Sequence, residues 1–374
     1  MKLMLFIFLI ILNNFDILCQ DYKEIRVLIC ESNQIELKFN GKFKIGDKEV
    51  ENKRIVFRIE NNMIKWDNYS APDKIFIKNE GGILCLGNYL YNGNFYITIS
   101  TNRLLLIEET GIENYLKGVL PNEISAKWHI EAIKAQAVAA RSFAYYFKTK
   151  NIKNLFDLKK DTFSQVYTGI TLTNEIFNKA IKDTEDEVIV YENEIIYTPF
   201  HSACGGGTED SKNVWGTSLP YLRYVPCNYC SLSPYYEWSA TFTEKDLIEK
   251  FYNYNIKKIN RIIGEGRSIS GRWREIKIIA DNGEIVLNSN KFRLILGSDK
   301  IRSTRFIIIN ERGRWTFKGR GWGHGVGLCQ WGAKSMAEKG YKYEHILRYY
   351  FRGTKIVKIS ERLRGNNFNL KGEF

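Results

Sequence analysis

The stretch LPNEISAKWHIEAIKAQAVAARSFAYY, residues 120–146, decides the central part of the fold. From Lys127 to Lys148 nearly every residue is a good helix former, which predicts a long helix with Ser125 as a suitable N-cap. Pro121 predicts that the preceding short helix, residues 111–120, ends before a turn. The stretch therefore predicts a single carboxylate, Glu123, presented just ahead of a long helix.

Two cations of the predicted long helix share one face. Lys134 and Arg141 are separated by almost two helical turns, and Tyr145 continues the same stripe. Burying these cations is costly without an anion, and Glu123 is a candidate partner. The alternative, which the spacing leaves open, is a surface turn followed by an amphipathic helix whose Lys and Arg are solvated.

The composition predicts a globular protein of two or three domains. The 374 residues are 44% hydrophobic and 26% charged, with a formal net charge of +13. This charge attracts polyanions, and nucleic acid, anionic lipid and cell-wall polymers all qualify. Because the positive charge is spread along the chain, it favours none of them by itself.

The N-terminal residues 1–20 have the pattern of a secretory signal: Lys2, an apolar run from Leu3 to Leu12, and a polar stretch up to Cys19. An uncleaved membrane anchor is the alternative, and it would be the one membrane contact of the chain. Either reading predicts a protein that acts outside the cytoplasm, secreted, periplasmic or anchored to the outer face of the cytoplasmic membrane. Export argues against a nucleic-acid partner.

The remaining pattern predicts an α+β fold. Alternating apolar and charged runs over residues 21–107 predict a small β domain. Residues 108–242 are expected to form a helical core around the long helix, and residues 243–317 a small inserted α/β lobe that begins with a helix capped by Thr243. Residues 318–374 are expected to complete the core and its cleft and to end in a polar tail.

Two short motifs have the spacing of metal-ligand pairs. His201 and Cys204 form one pair, and Cys227 and Cys230 form the other, with 22 residues between the pairs. Three thiolates and one imidazole can close a tetrahedron around a structural zinc ion. A disulfide from Cys227 to either Cys230 or Cys204, or free thiols, are the alternatives. Cys329 is expected to be a buried thiol.

A glycine-rich strip, GRGWGHGVG at residues 319–327, leaves alternate positions without side chains. Something flat or bulky can lie against such a strip. A helix is expected from about Val326 to Lys339, with Gly340 as its C-cap. His324 is either a site residue or a histidine satisfied within the core.

Several of these motifs resemble the sporulation stage II protein D family (SpoIID/LytB). The resemblance lies in LPNEI followed by EAIKAQAVAARSFAYY, in the segment DTFSQVYTG at residues 161–169, and in the glycine strip with its Gln-Trp-Gly-Ala continuation. The catalytic glutamate of that family falls on Glu123, and residues that are functionally important in the family fall on Lys134 and Arg141. A His-Ser pair of the family falls on His201 and Ser202, which implies a role facing the glycan.

The resemblance implies a peptidoglycan lytic transglycosylase that acts in sporulation or cell-wall remodelling. Glu123 would be the single general acid/base. Glu209 and Asp210 are possible second carboxylates, but they lie beside the expected metal loop and are better suited to orienting neighbours. The implied glycan-binding residues are Lys134, Arg141, Tyr145, Tyr167, His201, Ser202, Trp322 and His324; for the three aromatic residues a core role is equally open. The alternative is a non-catalytic peptidoglycan-binding protein that enhances a cell-wall amidase.

Overall fold

The computed structural model describes residues 23–161, 164–170 and 174–364, with side chains up to residue 361. The expected signal or anchor, residues 1–20, lies outside the described residues, and so does most of the expected tail. Within the described part of the chain, no helix has the length and apolar character needed to cross a membrane. The fold is mixed α+β, as expected.

The chain forms two compact units. The first consists of the described residues of Met1–Trp128, Gln136–Tyr197 and Ile356–Phe374, and the second consists of His129–Ala135 and Thr198–Lys355. Nine α-helices lie in the described residues: α1 Ile112–Glu123, α2 Ile130–Lys150, α3 Glu175–Asp183, α4 Ser211–Trp215, α5 Glu244–Lys250, α6 Ser289–Leu296, α7 Gln330–Glu338, α8 Tyr343–Tyr350 and α9 Ile359–Arg364.

The first unit begins with antiparallel strands that follow the alternation of the sequence. In Gln34–Asn40, for example, buried Ile35, Leu37 and Phe39 alternate with exposed polar residues. The strands are Glu24–Ser32, Gln34–Asn40, Lys42–Ile45, Lys48–Glu51, Arg54–Glu60, Met63–Trp66, Tyr69–Ala71, Lys74–Asn79, Ile83–Leu86, Tyr89–Tyr91, Asn94–Ser100 and Arg103–Gly111. They lie in a seven-stranded and a six-stranded sheet, the former completed by Leu158–Lys159.

The helix that follows these strands does not stop at Pro121. Helix α1 continues through the proline to Glu123 and ends where the N–H of Ile124 bonds to the carbonyl of Leu120. Proline lacks only its own N–H donor, and in the last turn of a helix the chain can still continue for one or two residues. Glu123 is therefore the last helical residue rather than part of a separate turn.

The long helix α2 begins later than its composition predicts. Residues 125–128 form a turn in which the N–H of Trp128 bonds to the carbonyl of Ser125. The hydroxyl of Ser125 accepts from the N–H of Lys127, so this serine organises the turn, and the helix itself begins at Ile130. The helix is otherwise as expected, with buried alanines along its length.

The second unit contains a lobe built from two three-stranded sheets. One sheet consists of Glu237–Thr243, Phe306–Glu311 and Arg314–Arg320, and the other of Ile259–Arg267, Trp273–Ala280 and Gly283–Asn288. Their core is aromatic: Phe251, Phe292 and Phe317 are each fully buried. Burial of each such side chain contributes about 1.5–3 kcal/mol to stability. Thr243 caps α5 in a reciprocal capping box with Asp246, which confirms the predicted cap.

The glycine strip leads into a short strand before the last helices of this unit. Leu328–Cys329 pairs in parallel with Phe200–His201, and the helix α7 starts only at Gln330. The predicted start at Val326 was wrong, because the backbone of Val326 and Leu328 is used in bonds to His201, His324 and Pro199. Gly340 follows the end of the helix with φ +88°, a left-handed conformation that glycine adopts without strain.

Candidate functional site

Glu123 stands at the C-terminal end of α1 with its side chain half-buried. Its Oε1 lies 3.4 Å from the backbone nitrogen of Val166, which donates to it. The carboxyl group therefore has a backbone partner and is not enclosed by packed interior. This placement leaves it able to meet a ligand.

The segment that holds Glu123, residues 164–170, is fixed on both sides. The Gln165 amide accepts from the hydroxyl of Tyr115 at 2.9 Å and donates to the carbonyl of Ala140 at 3.3 Å. The Asn122 amide donates to the hydroxyl of Thr168 at 2.9 Å. These bonds determine where the N–H of Val166 points, and so they position the carboxylate of Glu123.

Two aromatic residues expected to stack on sugars are core residues instead. Tyr145 is 1% exposed and Tyr167 is 3% exposed, so neither presents a ring face to a ligand. The ring of Tyr167 packs on Tyr115, with centroids 4.9 Å apart, and its hydroxyl bonds to buried Glu108. The helical spacing of Tyr145 alone could not distinguish a row of core residues from a row of ligand-binding residues.

Arg141 has a structural partner that the sequence did not indicate. Its guanidinium is fully buried and donates to both carboxylate oxygens of Glu113, at 2.9 and 2.7 Å. It also donates to the carbonyl of Glu187 at 3.1 Å. The anion expected for Arg141 was Glu123, and the structure places Glu113 there. With its donors directed at the protein, Arg141 joins α1 to the strand Glu187–Tyr191 and does not face a glycan.

Lys134 lies in the part of α2 that belongs to the second unit. Its Nζ is 3.7 Å from Glu131 and 5.9 Å from the ring centre of Tyr343. The carboxylate of Glu131 also accepts from the N–H of Tyr343 at 3.0 Å. Lys134 therefore sits in a small charged and aromatic cluster, with 16% of its side chain exposed.

Four cysteines of the second unit form one buried cluster. The Sγ atoms of Cys204, Cys227, Cys230 and Cys329 all lie within 4.8 Å of one another. All four are free thiols, and the sulfurs of Cys204 and Cys230 are 3.3 Å apart. Hydrogen bonds from Cys204 lower the pKa of Cys227 and of Cys230, whereas burial raises the pKa of Cys329. The cluster can hold a metal ion.

Cys329, which the sequence suggested only as a buried thiol, completes this cluster. It is the N-cap of α7, and its sulfur accepts from the N–H groups of Gly332 at 3.4 Å and of Cys204 at 3.3 Å. Such donors, together with the positive end of a helix dipole, act against the effect of burial, which raises the pKa of Cys329. Tyr350 supports the cluster from another side, because its hydroxyl lies 3.2 Å from the sulfur of Cys227.

His201 is not a member of the cluster, although its spacing from Cys204 suggested that it would be. Its Nδ1 lies 3.1 Å from the carbonyl of Val326, to which it donates as the Nδ1–H tautomer. Burial holds the pKa of this imidazole well below its usual value, so the ring is neutral. Among the described residues its buried Nε2 has no hydrogen-bond partner and keeps a lone pair available.

His324 faces His201 across 5.5 Å between ring centroids. Its Nδ1 accepts from the N–H of Val326, and its Nε2 donates to the carbonyl of Phe200, which fixes the tautomer. Burial lowers the pKa of His324 to about 4, so this ring is also neutral near pH 7. The half-exposed ring of Trp215 lies beside it at 5.2 Å, an aromatic residue that the sequence did not single out.

Trp322 and Ser202 lie on two backbone segments that run side by side. Ala203 and Trp322 exchange N–H to carbonyl bonds of 3.1 and 2.8 Å, and the carbonyl of Ser202 accepts from Trp331. The half-buried Trp322 ring meets Tyr235 edge-on at 4.4 Å, with the Arg302 guanidinium 5.1 Å from its centre.

The glycine strip receives the protein's own chain rather than an open groove. A Cβ on Gly323 would lie 2.7 Å from the Cβ of His201, and one on Gly325 would lie 2.5 Å from the guanidinium of Arg272. The missing side chains therefore allow the His201 segment and Arg272 to pack against the strip. This packing brings His201, Ser202, Trp322 and His324 together.

Comparison with known proteins identifies a family for this chain. Residues 100–191, which contain Glu123, Arg141 and Tyr167, match the family model described as Stage II sporulation protein. An uncharacterized protein of Brachyspira hyodysenteriae is 37% identical over 71% of this chain and 72% of its own length. Stage II sporulation protein D of Bacillus subtilis is 28% identical over 67% of this chain and 75% of that protein. The chain belongs to the SpoIID family.

Two further matches involve this SpoIID protein. The Amidase enhancer of Bacillus subtilis is 28% identical over 85% of this chain and 50% of its own length. Residues 230–327, which include the lobe, match a domain of unknown function, DUF8618.

The second unit of this SpoIID protein also contains a buried polar network. The carboxylate of Glu209 accepts from Ser268, Ser270 and Asn213 at 2.5, 2.6 and 2.8 Å. Arg272 donates to the carbonyl of Cys204 at 2.7 Å. The network holds the loop that carries Cys204. Its members are up to 68 positions apart in the chain, which is why no local pattern indicated that they meet.

Proposed function

We propose that this SpoIID protein is a lytic transglycosylase that cleaves peptidoglycan glycan strands beside N-acetylmuramic acid. The observation that carries the proposal is the placement of Glu123, half-buried at the end of α1 and bonded to the N–H of Val166. The helix end and the Val166 N–H together fix where this carboxyl group lies, and its half-buried position leaves it outside the packed interior. A neutral carboxyl group is what the first step of glycan cleavage requires.

One carboxyl group is sufficient if the substrate supplies the nucleophile. Glu123 would donate its proton to the glycosidic oxygen as the bond from that oxygen to the anomeric carbon breaks. The C6 hydroxyl of the same muramic acid would then attack the anomeric carbon and give its proton to Glu123, which restores the acid. The products are a 1,6-anhydro end and a free hydroxyl end, and the proximity of the C6 hydroxyl replaces a recruited water.

The cysteine cluster is proposed to hold a structural zinc ion. A tetrahedral zinc with Zn–S bonds of about 2.3 Å places its sulfurs ~3.8 Å apart, and the four sulfurs here lie within 4.8 Å. Four thiolates leave no open coordination position, so the ion would stabilise the fold and take no part in cleavage. Cys204, Cys227, Cys230 and Cys329 would bind it, and His201 would not be needed as a ligand.

The cellular context follows from the same proposal. A peptidoglycan substrate lies outside the cytoplasm, in agreement with the signal-like residues 1–20. One of the relatives described above is named for sporulation and one for enhancing an amidase, which supports a role in sporulation or cell-wall remodelling.

A product assay tests the enzymatic proposal. Purified protein would be incubated with peptidoglycan glycan strands, both with and without their stem peptides, and the products would be analysed by mass spectrometry. We expect 1,6-anhydro ends from the wild type and none from Glu123→Gln. Exposed Glu36, replaced by Gln, is a matched control that should retain full activity. Absence of anhydro products from a folded wild-type protein would exclude the reaction.

The second candidate is a non-catalytic protein that binds peptidoglycan and enhances a cell-wall amidase. It is favoured by the similarity to the Amidase enhancer over 85% of this chain. In that case wild type and Glu123→Gln would both bind peptidoglycan, would yield no anhydro ends, and would equally increase the rate of an added amidase.

A further inference from the structure

An open cleft of about 710 Å³ lies on the lobe within residues 237–320. Its walls come from the strands Glu237–Thr243, Phe306–Glu311 and Arg314–Arg320. Other wall residues lie between the first two of these strands in the sequence. The cleft therefore lies within the region that matches the domain of unknown function.

The strand register gathers cations on one face of this sheet. Ser239, Lys318 and Ile307 are direct cross-strand neighbours, and Glu237 is paired with Arg320 in the next row of the same face. Side chains two positions apart in a strand point to the same side, so Lys318 and Arg320 project together. The intervening Gly319 lies over buried Trp238 on the opposite face.

Two arginines from outside these strands extend the cationic surface, and both are held in place. Arg305 donates to the carbonyl of Gly205 at 2.5 Å, which ties it to the loop of the cysteine cluster. Arg267 lies 4.2 Å from the ring centre of Trp273 and donates to the carbonyl of Phe306 at 3.3 Å. Positioned guanidinium groups lose less freedom when they bind an anion.

The charge of the cleft is unbalanced. Arg267, Arg305, Lys318 and Arg320 line it, against the single carboxylate of Glu237. Glu237 pairs with Arg320 at 2.9 Å, and within the described part of the chain no carboxylate lies within 4 Å of the other three cations. Elsewhere on the lobe the cation of Lys277 is matched by two carboxylates. A concave surface of one charge concentrates the field on an approaching anion.

We propose that this cleft binds a polyanionic polymer chain through its carboxylate or phosphate groups. Adjacent strands are about 4.8 Å apart and alternate residues of one strand about 7 Å apart, so a chain with charges at similar intervals meets several cations at once. Guanidinium groups pair well with either oxyanion. This site is separate from the chemistry proposed for Glu123, and binding there does not depend on cleavage.

Isothermal titration of the full-length protein tests the proposal. The probes are an oligogalacturonate, which carries carboxylates, an inorganic polyphosphate of matched charge, and a neutral chitooligosaccharide. We expect at least one of the two anionic probes to bind and the neutral one to bind more weakly. Preference for one anionic probe identifies the charged group as carboxylate or phosphate.

Matched variants separate the cleft from the net positive charge of the protein. The double variant Lys318→Gln/Arg320→Gln should weaken polyanion binding by about fivefold or more. The control Lys245→Gln/Lys300→Gln removes the same charge from exposed lobe positions that do not line the cleft, and it should change the affinity by less than about twofold.

Folding of each variant is checked by circular dichroism, and the single variant Lys318→Gln should show part of the loss if the double variant does not fold. Equal losses in the two double variants, or no polyanion binding by the wild type, would overturn the proposal. So would tighter binding of duplex DNA than of either polymer probe.

Discussion

The phenol of Tyr167 donates a 2.7 Å hydrogen bond to the carboxylate of Glu108, a residue with no exposed surface. Glu108 lies in the strand Arg103–Gly111, and Tyr167 is next to Val166, whose N–H bonds to Glu123. The N-terminal strands are thereby joined to the segment that positions the proposed catalytic acid. A second bond, from the N–H of Gly93, also reaches Glu108 at 2.9 Å.

Glu108 should make the stability of the protein depend on pH. Burial raises the pKa of Glu108 from 4.5 to about 7. The folded state therefore holds this proton more tightly than the unfolded state. The resulting stabilisation is complete below pH 4.5 and is lost as pH rises through 7, a change on the order of 3 kcal/mol.

The measurement is the free energy of unfolding of wild type and Glu108→Gln by chemical denaturation between pH 4.5 and 8. The difference, wild type minus variant, should fall as pH rises, because glutamine does not titrate. Glu36→Gln, at an exposed position, should run parallel to the wild type. A wild type parallel to Glu108→Gln would show that folding does not raise the pKa of Glu108.

Arg141 should contribute to stability rather than to glycan binding. Arg141→Lys keeps the charge but cannot donate to both oxygens of Glu113, so we expect a loss of about 2 kcal/mol or more in the free energy of unfolding. Lys179→Met removes an exposed helical ion pair with Asp183 and should change stability by less than about 0.5 kcal/mol. Unchanged stability of Arg141→Lys with weakened glycan binding would restore the role first expected.

Features that depend on neighbouring residues were predicted well. The alternating strands before Gly111 and the cap at Thr243 follow from local side-chain preferences. The Stage II sporulation family was likewise evident from contiguous motifs.

Partners distant in sequence were not predicted. Cys329 bonds to a residue 125 positions away, Tyr167 bonds to Glu108 across 59, and Arg141 bonds to Glu113 across 28. No periodicity links residues that only the completed fold brings together. The spacing of His201 and Cys204 suggested a ligand pair for the same reason, because local spacing cannot reveal that Cys329 supplies the fourth sulfur of the cluster.

Metal content should distinguish Cys329 from His201. We expect Cys329→Ser to retain less than about half an equivalent of zinc per chain, because three thiolates leave the tetrahedron incomplete. His201→Ala should retain the full equivalent, and Cys30→Ser, outside the cluster, is the control. Elemental analysis of the purified proteins makes the comparison. The opposite pattern, loss in His201→Ala and retention in Cys329→Ser, would return His201 to the ligand set.

Gly118 should be important for the proposed activity, even though it is distant from any reacting atom. A Cβ at this position would lie 2.3 Å from the carbonyl oxygen of Gly169 and 2.5 Å from the ring of Tyr167. Gly118→Ala must therefore displace the segment whose Val166 N–H bonds to Glu123. We expect at least about a tenfold loss of anhydro-product formation, since misplacing a catalytic group by about 1 Å has effects of this size or larger.

The matched control for this variant is Gly111→Ala, where a Cβ meets nothing within 4 Å and the φ of −63° suits any residue. It should leave both activity and melting temperature close to those of the wild type. Glycan binding is measured alongside, because displacement of Glu123 lowers turnover more than it lowers affinity. If Gly118→Ala folds and cleaves as well as Gly111→Ala, then the contact between α1 and the Tyr167 segment does not position the acid.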